Sequence, residues 1–259
     1  YTCRMAIEKR ARAEETVAVT PTKKDTDATD LTLRPTRLTD YVGQTELKEH
    51  LNVYLQAAKN RKEPLGHVIL HGPPGLGKTT LAFILAKEMN TQIRVTSGPA
   101  IEKPGDVASL LTNLQAGDIL FIDEIHRMRP AIEEVLYSAM EDYALDLMIG
   151  KGPSARSMRI ELQPFTLVGA TTKVGSVSTP LRDRFSHNFK LGFYSEAELA
   201  KIIERTASIL SLSLDATAAD VIACCSRATP RIANRLVRAI RDFAEVSNEK
   251  IVSEKRVRS

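Results

Sequence analysis

Two short stretches carry residues whose types and spacing suit phosphate chemistry. In HVILHGPPGLGKTT (67–80), the pattern Gly72-x-x-x-x-Gly77-Lys78-Thr79 is that of a nucleoside-triphosphate loop, in which glycines let backbone N–H groups turn inward around phosphate oxygens. Pro73 and Pro74 lack an N–H, but the amides expected to donate come later, from Gly75 and Leu76 through Thr80. Lys78 is placed to meet the β- and γ-phosphates as a point charge, and the Thr79 hydroxyl to hold Mg²⁺. The second stretch, DILFIDE (118–124), is an apolar run ending in two carboxylates. Asp123 stands where a Mg²⁺-coordinating aspartate is expected at the carboxyl edge of a parallel sheet. Glu124, one residue on, can polarise a water for in-line attack on the γ-phosphate. ATP and Mg²⁺ are the ligands this pairing predicts.

These residues act only if strands and helices aim them. Short apolar runs at 68–71, 93–96, 119–122 and 165–169, with a weaker one at 188–191, read as strands. Helical periodicity separates them: Leu47, Leu51, Tyr54, Leu55 and Ala58 before the loop; Leu81, Ile84, Leu85 and Met89 after it; Leu110, Leu111 and Leu114 beyond KPGD. Strands alternating with helices predict an α/β fold with a parallel sheet covered on both faces. Between DILFIDE and PFTLVGATT, the stretch LDLMIGKGPSARSMRIEL alternates through Leu145, Leu147 and Ile149, turns at 150–153 and alternates back through Met158, Ile160 and Leu162. It predicts a β-hairpin, about 144–163. From 193 the chain is helical: Ser195 with Glu198 makes a capping box, Asp215 starts a second helix, and Thr229-Pro230 is an N-cap with proline at the first helical position. This last helix is expected to place Ile232, Leu236, Ile240 and Phe243 on its inner side and Arg231, Arg235 and Arg238 on the other.

The 259 residues suffice for a nucleotide-binding core and a smaller second domain, and 43% hydrophobic content is that of an ordinary globular chain. A net charge of +4 permits nucleic acid as a partner without demanding it. Cys3, Cys224 and Cys225 have no metal-ligand spacing, and the adjacent pair reads as core residues of a buried helix face in a reducing compartment. The absence of a membrane-length apolar run and of a signal-peptide core predicts a cytoplasmic protein without membrane partners. Residues 1–33, polar and aperiodic, are expected to be poorly ordered. The chain starts either upstream of a true start at Met5 or as a fragment of something longer.

The order of the motifs resembles the AAA+ ATPases and, within them, the RuvB family of Holliday-junction branch-migration motors. LRPTRLTDYVGQ, HGPPGLGKTTLA, DILFIDEIHR, MEDYALDLMIGKGPSARS, FTLVGATTKVGS, PLRDRF and TPRIANRLVRAIRDFAEV carry the resemblance in sequence, across about residues 31–250. It implies a P-loop NTPase domain over 34–192, with a five-stranded parallel sheet flanked by helices, and a small all-helical lid over 193–259. It implies an ATP-hydrolysing homo-hexameric ring that works with RuvA on the duplex DNA arms of a junction, in recombination and repair.

Roles follow residue by residue from that resemblance. Thr172 would sense the γ-phosphate, with Thr171 as the competing assignment. Arg184 in PLRDRF would be the arginine finger reaching a neighbouring subunit's nucleotide, with Arg182 as second choice. Arg231, beside Pro230, would report nucleotide state from the lid, and Arg34, Tyr41, Val42 and Tyr194 would enclose the adenine, Tyr194 by stacking. The hairpin would bind RuvA, much of the contact coming from Leu147 and Ile149; the alternative is that they pack on their own domain. Two departures stand out. Ala228 replaces a glycine usual in the family, and relatives continue past the position of Ser259 into a winged-helix domain that carries much of the DNA contact. Other readings are a clamp-loader or replication-initiation ATPase, or a scaffold that binds ATP without hydrolysing it; intact Glu124, Arg184 and Arg231 argue against the scaffold.

Overall fold

Apolar runs such as ILFI and LVGA can be satisfied only where both faces of a strand are covered, and a parallel sheet between helical layers does this. The computed structural model describes residues 32–149, 156–215, 217–247, 251–253 and 257. Five strands, β1 (Val68–His71), β2 (Ile93–Ser97), β3 (Ile119–Asp123), β6 (Thr166–Thr171) and β7 (His187–Lys190), form one parallel sheet in the order β2-β3-β6-β1-β7. Every residue of β6 is buried, as are the first four of β3. Two further strands, β4 (Ala144–Ile149) and β5 (Arg156–Glu161), pair antiparallel as a separate ribbon, with Leu145 opposite Ile160. The turn between them and the side chains of Leu147 and Ile149 fall outside the described residues, as do residues 1–31.

Helices cover both faces. On one side lie α1 (Thr45–Arg61) and α2 (Lys78–Met89), whose Leu51, Leu55, Leu81 and Leu85 are fully enclosed. On the other lie α3 (Pro104–Thr112) and α4 (Pro130–Asp142), closing over Ile122, Leu136 and Phe165. The short α5 (Thr179–Asp183) follows β6. The helices α6 (Glu196–Ile209), α7 (Ala218–Cys225) and α8 (Pro230–Ser247) then pack together, and their Leu199, Ile203, Ile222 and Val237 join the same apolar cluster as α1 and α2. The chain divides into two units between Arg34 and Pro35, and the sheet with all these helices lies in the second. No helix among the described residues is long and apolar enough to cross a membrane.

Two expectations are corrected. The inner face of α8 is Ala233, Val237 and Ala244, with Leu236 and Ile240 partly buried, while Phe243 is 66% exposed. Phe243, one residue before the buried Ala244, falls about 100° off that row and so faces outward. Cys224 and Cys225 are both exposed, because α7 turns Ala218, Ala219, Ile222 and Ala223 inward. Thr229 stands just before α8, its carbonyl accepting the Ala233 amide at 3.2 Å and its hydroxyl donating back to the Ser226 carbonyl at 3.2 Å. Ala228, the residue in the glycine position, has φ 55°, a left-handed conformation that costs a non-glycine residue about 1–2 kcal/mol.

One buried titratable group ties the layers together. His67 is 6% exposed; its Nε2 bonds the Met140 carbonyl at 3.1 Å, and its Nδ1 accepts from the Leu167 amide at 2.9 Å. A carbonyl can only accept and an amide N–H only donate, so the ring is the neutral Nε2–H tautomer. Burial pushes its pKa below the ordinary 6.5, partly offset by the Met140 bond. A group with a depressed imidazole pKa takes up its proton first in the unfolded chain. Its contribution is therefore complete above pH 6.5 and is lost as pH falls from there toward the folded-state value. Denaturant midpoints measured through that window should fall more steeply for the wild type than for His67→Gln, which keeps a donor and an acceptor but does not titrate. Parallel slopes would refute this.

Candidate functional site

Strand order builds the site. The phosphate-loop pattern follows β1, the acidic pair ends β3, and β6 runs between them, with His71 opposite Thr171 and Ile122 opposite Gly169. The carboxyl ends of three adjacent strands thus meet at one edge of the sheet, where open α/β sheets bind ligands.

Local conformation shapes the loop. Gly72, Gly75 and Gly77 have φ of 144°, 81° and 95°. At Gly77 a Cβ would sit 2.7 Å from the Tyr41 hydroxyl, so only glycine fits. The chain then enters α2 directly at Lys78, whose ammonium donates to the Gly72 and Pro73 carbonyls, each at 2.8 Å. Burial lowers the Lys78 pKa, Asp123 opposes that shift and Arg231 adds to it. Lysine, aspartate and lid arginine therefore share one electrostatic neighbourhood. Leu76 is buried, Thr79 and Thr80 open the first turn of α2, and the amides there face a helix N-terminus suited to anions.

At the end of β3, Asp123 accepts the Glu124 amide at 2.9 Å, and Glu124 takes a left-handed φ of 48°. A Cβ on Gly98, in the turn after β2, would come within 2.5 Å of the Glu124 carbonyl. The absence of a side chain there is what lets the acidic turn seat. The Glu124 carboxylate pairs with Arg127 at 3.0 Å, both side chains about half exposed (45% and 57%). Such a pair is worth roughly 0–1 kcal/mol, so Glu124 can leave it for a water at little cost.

The two threonines ending β6 differ. Thr171 is 1% exposed; its hydroxyl lies 2.9 Å from His126 Nδ1 and accepts the Lys173 amide at 2.9 Å. Thr172 is exposed. Arg184, directly after α5, bonds the Pro180 carbonyl at 2.8 Å and Glu141 at 3.1 Å and lies over the Tyr137 ring at 4.5 Å. Arg182 is partly buried on the same short helix.

The lid reaches the loop at the start of α8: the Arg231 amide donates to the Gly75 carbonyl at 3.3 Å, and Pro230 precedes it as the first helical residue. Tyr41 and Tyr194 close the opposite side. Both rings are buried, the Tyr41 hydroxyl donates to the Leu76 carbonyl at 3.2 Å, and the Tyr194 hydroxyl lies 3.1 Å from Tyr41 and 3.3 Å from that carbonyl. Desolvation raises both pKa values, Tyr41 well above 10, so both hydroxyls keep their protons. Val42 is half-buried beside Tyr41. Gln44 grips Gly192 through two bonds, 2.7 and 3.1 Å. Arg34 belongs to the unit that ends at that residue and is half-buried.

Sequence reasoning missed His126, Gln44 and Gly98. His126 had a signal in DEIHR, two residues beyond Glu124, and Gln44 at the end of LRPTRLTDYVGQ; Gly98 acts through the close approach of a distant segment and had none.

Matches with known protein families and solved structures accompany this geometry. Residues 33–191 match the family described as the Holliday junction DNA helicase RuvB P-loop domain, and residues 194–259 the RuvB AAA lid domain. The Thermotoga maritima RuvB Holliday junction branch migration motor is 49% identical, with a TM-score of 0.79 over 87% of this chain and 71% of its own. A lysine-to-arginine variant of that protein is 49% identical with a TM-score of 0.80 over the same shares. An alanine-to-serine variant is 48% identical with a TM-score of 0.81, again over 87% and 71%.

Proposed function

Because the chain belongs to the RuvB family, with a P-loop domain that implies nucleotide binding, we propose that it is a Mg²⁺-dependent ATPase subunit of a ring motor that moves Holliday junctions. The observation that carries this reading is the meeting of β1, β3 and β6 at one sheet edge with the start of α8 bonded to the loop. Loop amides from Gly75 to Thr80 and the Lys78 ammonium bind the phosphates, and Glu124 takes the proton of an attacking water. The donor set fits a hard cation: Thr79 offers a hydroxyl and Asp123 a carboxylate, beside a glycine cradle that a Cβ would fill. When bound, Mg²⁺ offsets charge on the outer phosphates; Thr79 and Asp123 would hold it. Thr172 contacts the γ-phosphate, while Thr171 with His126 fixes the end of β6. Arg231 reports loss of that phosphate to the lid, and Arg184 completes a neighbour's site. Tyr41, Val42 and Tyr194 border the base. The domain limits are 34–192 for the ATPase core and 193–259 for the lid.

The relatives support these assignments. Among the Thermotoga maritima structures are variants replacing a lysine, an alanine, a threonine, an arginine and a proline. One constant shift in numbering carries all five onto residues of the same type here: Lys78, Ala170, Thr172, Arg184 and Pro230. By the same kinship the motor is a homo-hexamer on duplex DNA, with RuvA docked on the β4–β5 ribbon through Leu147 and Ile149. Phosphate release measured against protein concentration, with and without junction DNA, tests the whole. Specific activity should rise as subunits assemble and supply Arg184 to one another; a specific activity independent of concentration would count against shared sites.

A further inference from the structure

Arg184 is not a loose side chain waiting for a neighbour, and the residues that hold it are assigned no role by the reading above. Its guanidinium lies over the Tyr137 ring with the carbon 4.5 Å from the centroid, close enough for a cation–π contact. Nη1 donates to the Pro180 carbonyl at 2.8 Å, and Nη2 meets Glu141 at 3.1 Å. The Arg184 side chain is 23% exposed against 57% for Glu141. The carboxylate is thus the wet, weak partner, whereas the ring supplies the surface on which the guanidinium rests.

Tyr137 is itself fixed from below. Its hydroxyl donates to Glu133 at 3.2 Å and lies 3.2 Å from the Ser178 hydroxyl, which also donates to Glu133. Glu133 is 6% exposed, a buried carboxylate gripping two hydroxyls from α4 and the start of α5. Ser178 in turn accepts the Leu181 amide and caps α5, the helix that Arg184 directly follows. The chain of contacts therefore runs from Glu133 to Ser178 and Tyr137, and from both of these to Arg184: one sets the backbone from which the arginine leaves, the other the direction it takes.

We propose that Tyr137 is a positioning residue that aims Arg184 outward from its own subunit, with Glu133 and Ser178 anchoring its ring. This rests on the reading of Arg184 as a finger acting in trans. A guanidinium on a flat, fixed ring keeps a defined plane yet can slide when its exposed Glu141 partner is exchanged for phosphate oxygens. A misplacement of about 1 Å costs on the order of 10²-fold in rate.

Four chains test it: Tyr137→Leu, Tyr137→Phe, Arg184→Ala and Glu124→Gln. Tyr137→Leu should lose about 10²-fold in phosphate release with its melting temperature and nucleotide affinity near wild type. Tyr137→Phe keeps the ring but not its anchoring hydroxyl and should restore part of the turnover. The decisive readout is complementation. Mixed with Glu124→Gln chains, whose own sites are dead but whose Arg184 is intact, Tyr137→Leu chains should regain activity above either alone, because their defect lies in what they lend. If Arg184→Ala is rescued by Glu124→Gln and Tyr137→Leu is not, Tyr137 serves its own site and the inference is overturned. If Arg184→Ala is not rescued either, the trans reading of Arg184 fails first.

Discussion

Glu124→Gln is expected to cut phosphate release by about 10²–10⁴-fold, the usual contribution of a positioned general base, while ATP still binds. The amide preserves the size of the side chain but cannot take a proton. The loop that grips the phosphates, with Lys78 bonded between Gly72 and Pro73 carbonyls and α2 opening behind it, is untouched by the change. The exposed Arg127 pair lost with the charge is too weak to alter the fold. Equilibrium binding of a fluorescent ATP analogue and single-turnover phosphate release separate the two functions. Release at the wild-type rate would remove Glu124 from the mechanism and leave a water without a base.

Arg184→Ala should be as damaging, by about 10³–10⁵-fold for a finger supplied in trans, and the damage should appear in the neighbouring subunit. The guanidinium neutralises charge on the transferring phosphoryl group, so its loss raises the barrier without loosening ATP in the chain that carries the mutation. Mixed with Glu124→Gln chains, which lack the base but carry an intact arginine, mutant chains should turn over ATP at sites completed by such a neighbour. A mixture no more active than its separate parts would show that Arg184 serves no site but its own, and Arg182 would become the arginine to test.

The parts of the site that one segment supplies were legible in the sequence. GPPGLGKTT announces its own turn through glycine spacing, and DILFIDE announces a strand ending in acid. The five strands were visible because apolar runs of four to six residues leave few alternatives. What stayed hidden depends on two distant segments meeting. Gly98 looks like any loop glycine until Glu124 is found against it. The inner face of α8 misleads because Phe243 is large and apolar, yet the buried row is Ala233, Val237 and Ala244. Cys224 and Cys225 mislead because they directly follow the buried Ile222 and Ala223 on α7 and yet face outward. Thr171 and Thr172 could not be separated by type, only by which one lies against His126.

The Leu76 carbonyl faces two tyrosine hydroxyls, one from the segment before α1 and one from the junction leading into the lid. Tyr194 has a single hydrogen and two acceptors in reach, the other being Tyr41 itself at 3.1 Å. Only one of those bonds is made at a time, and exchanging them needs a rotation about the C–O bond, not a shift of heavy atoms. The loop and the lid junction are thus joined by a choice of two partners for one proton.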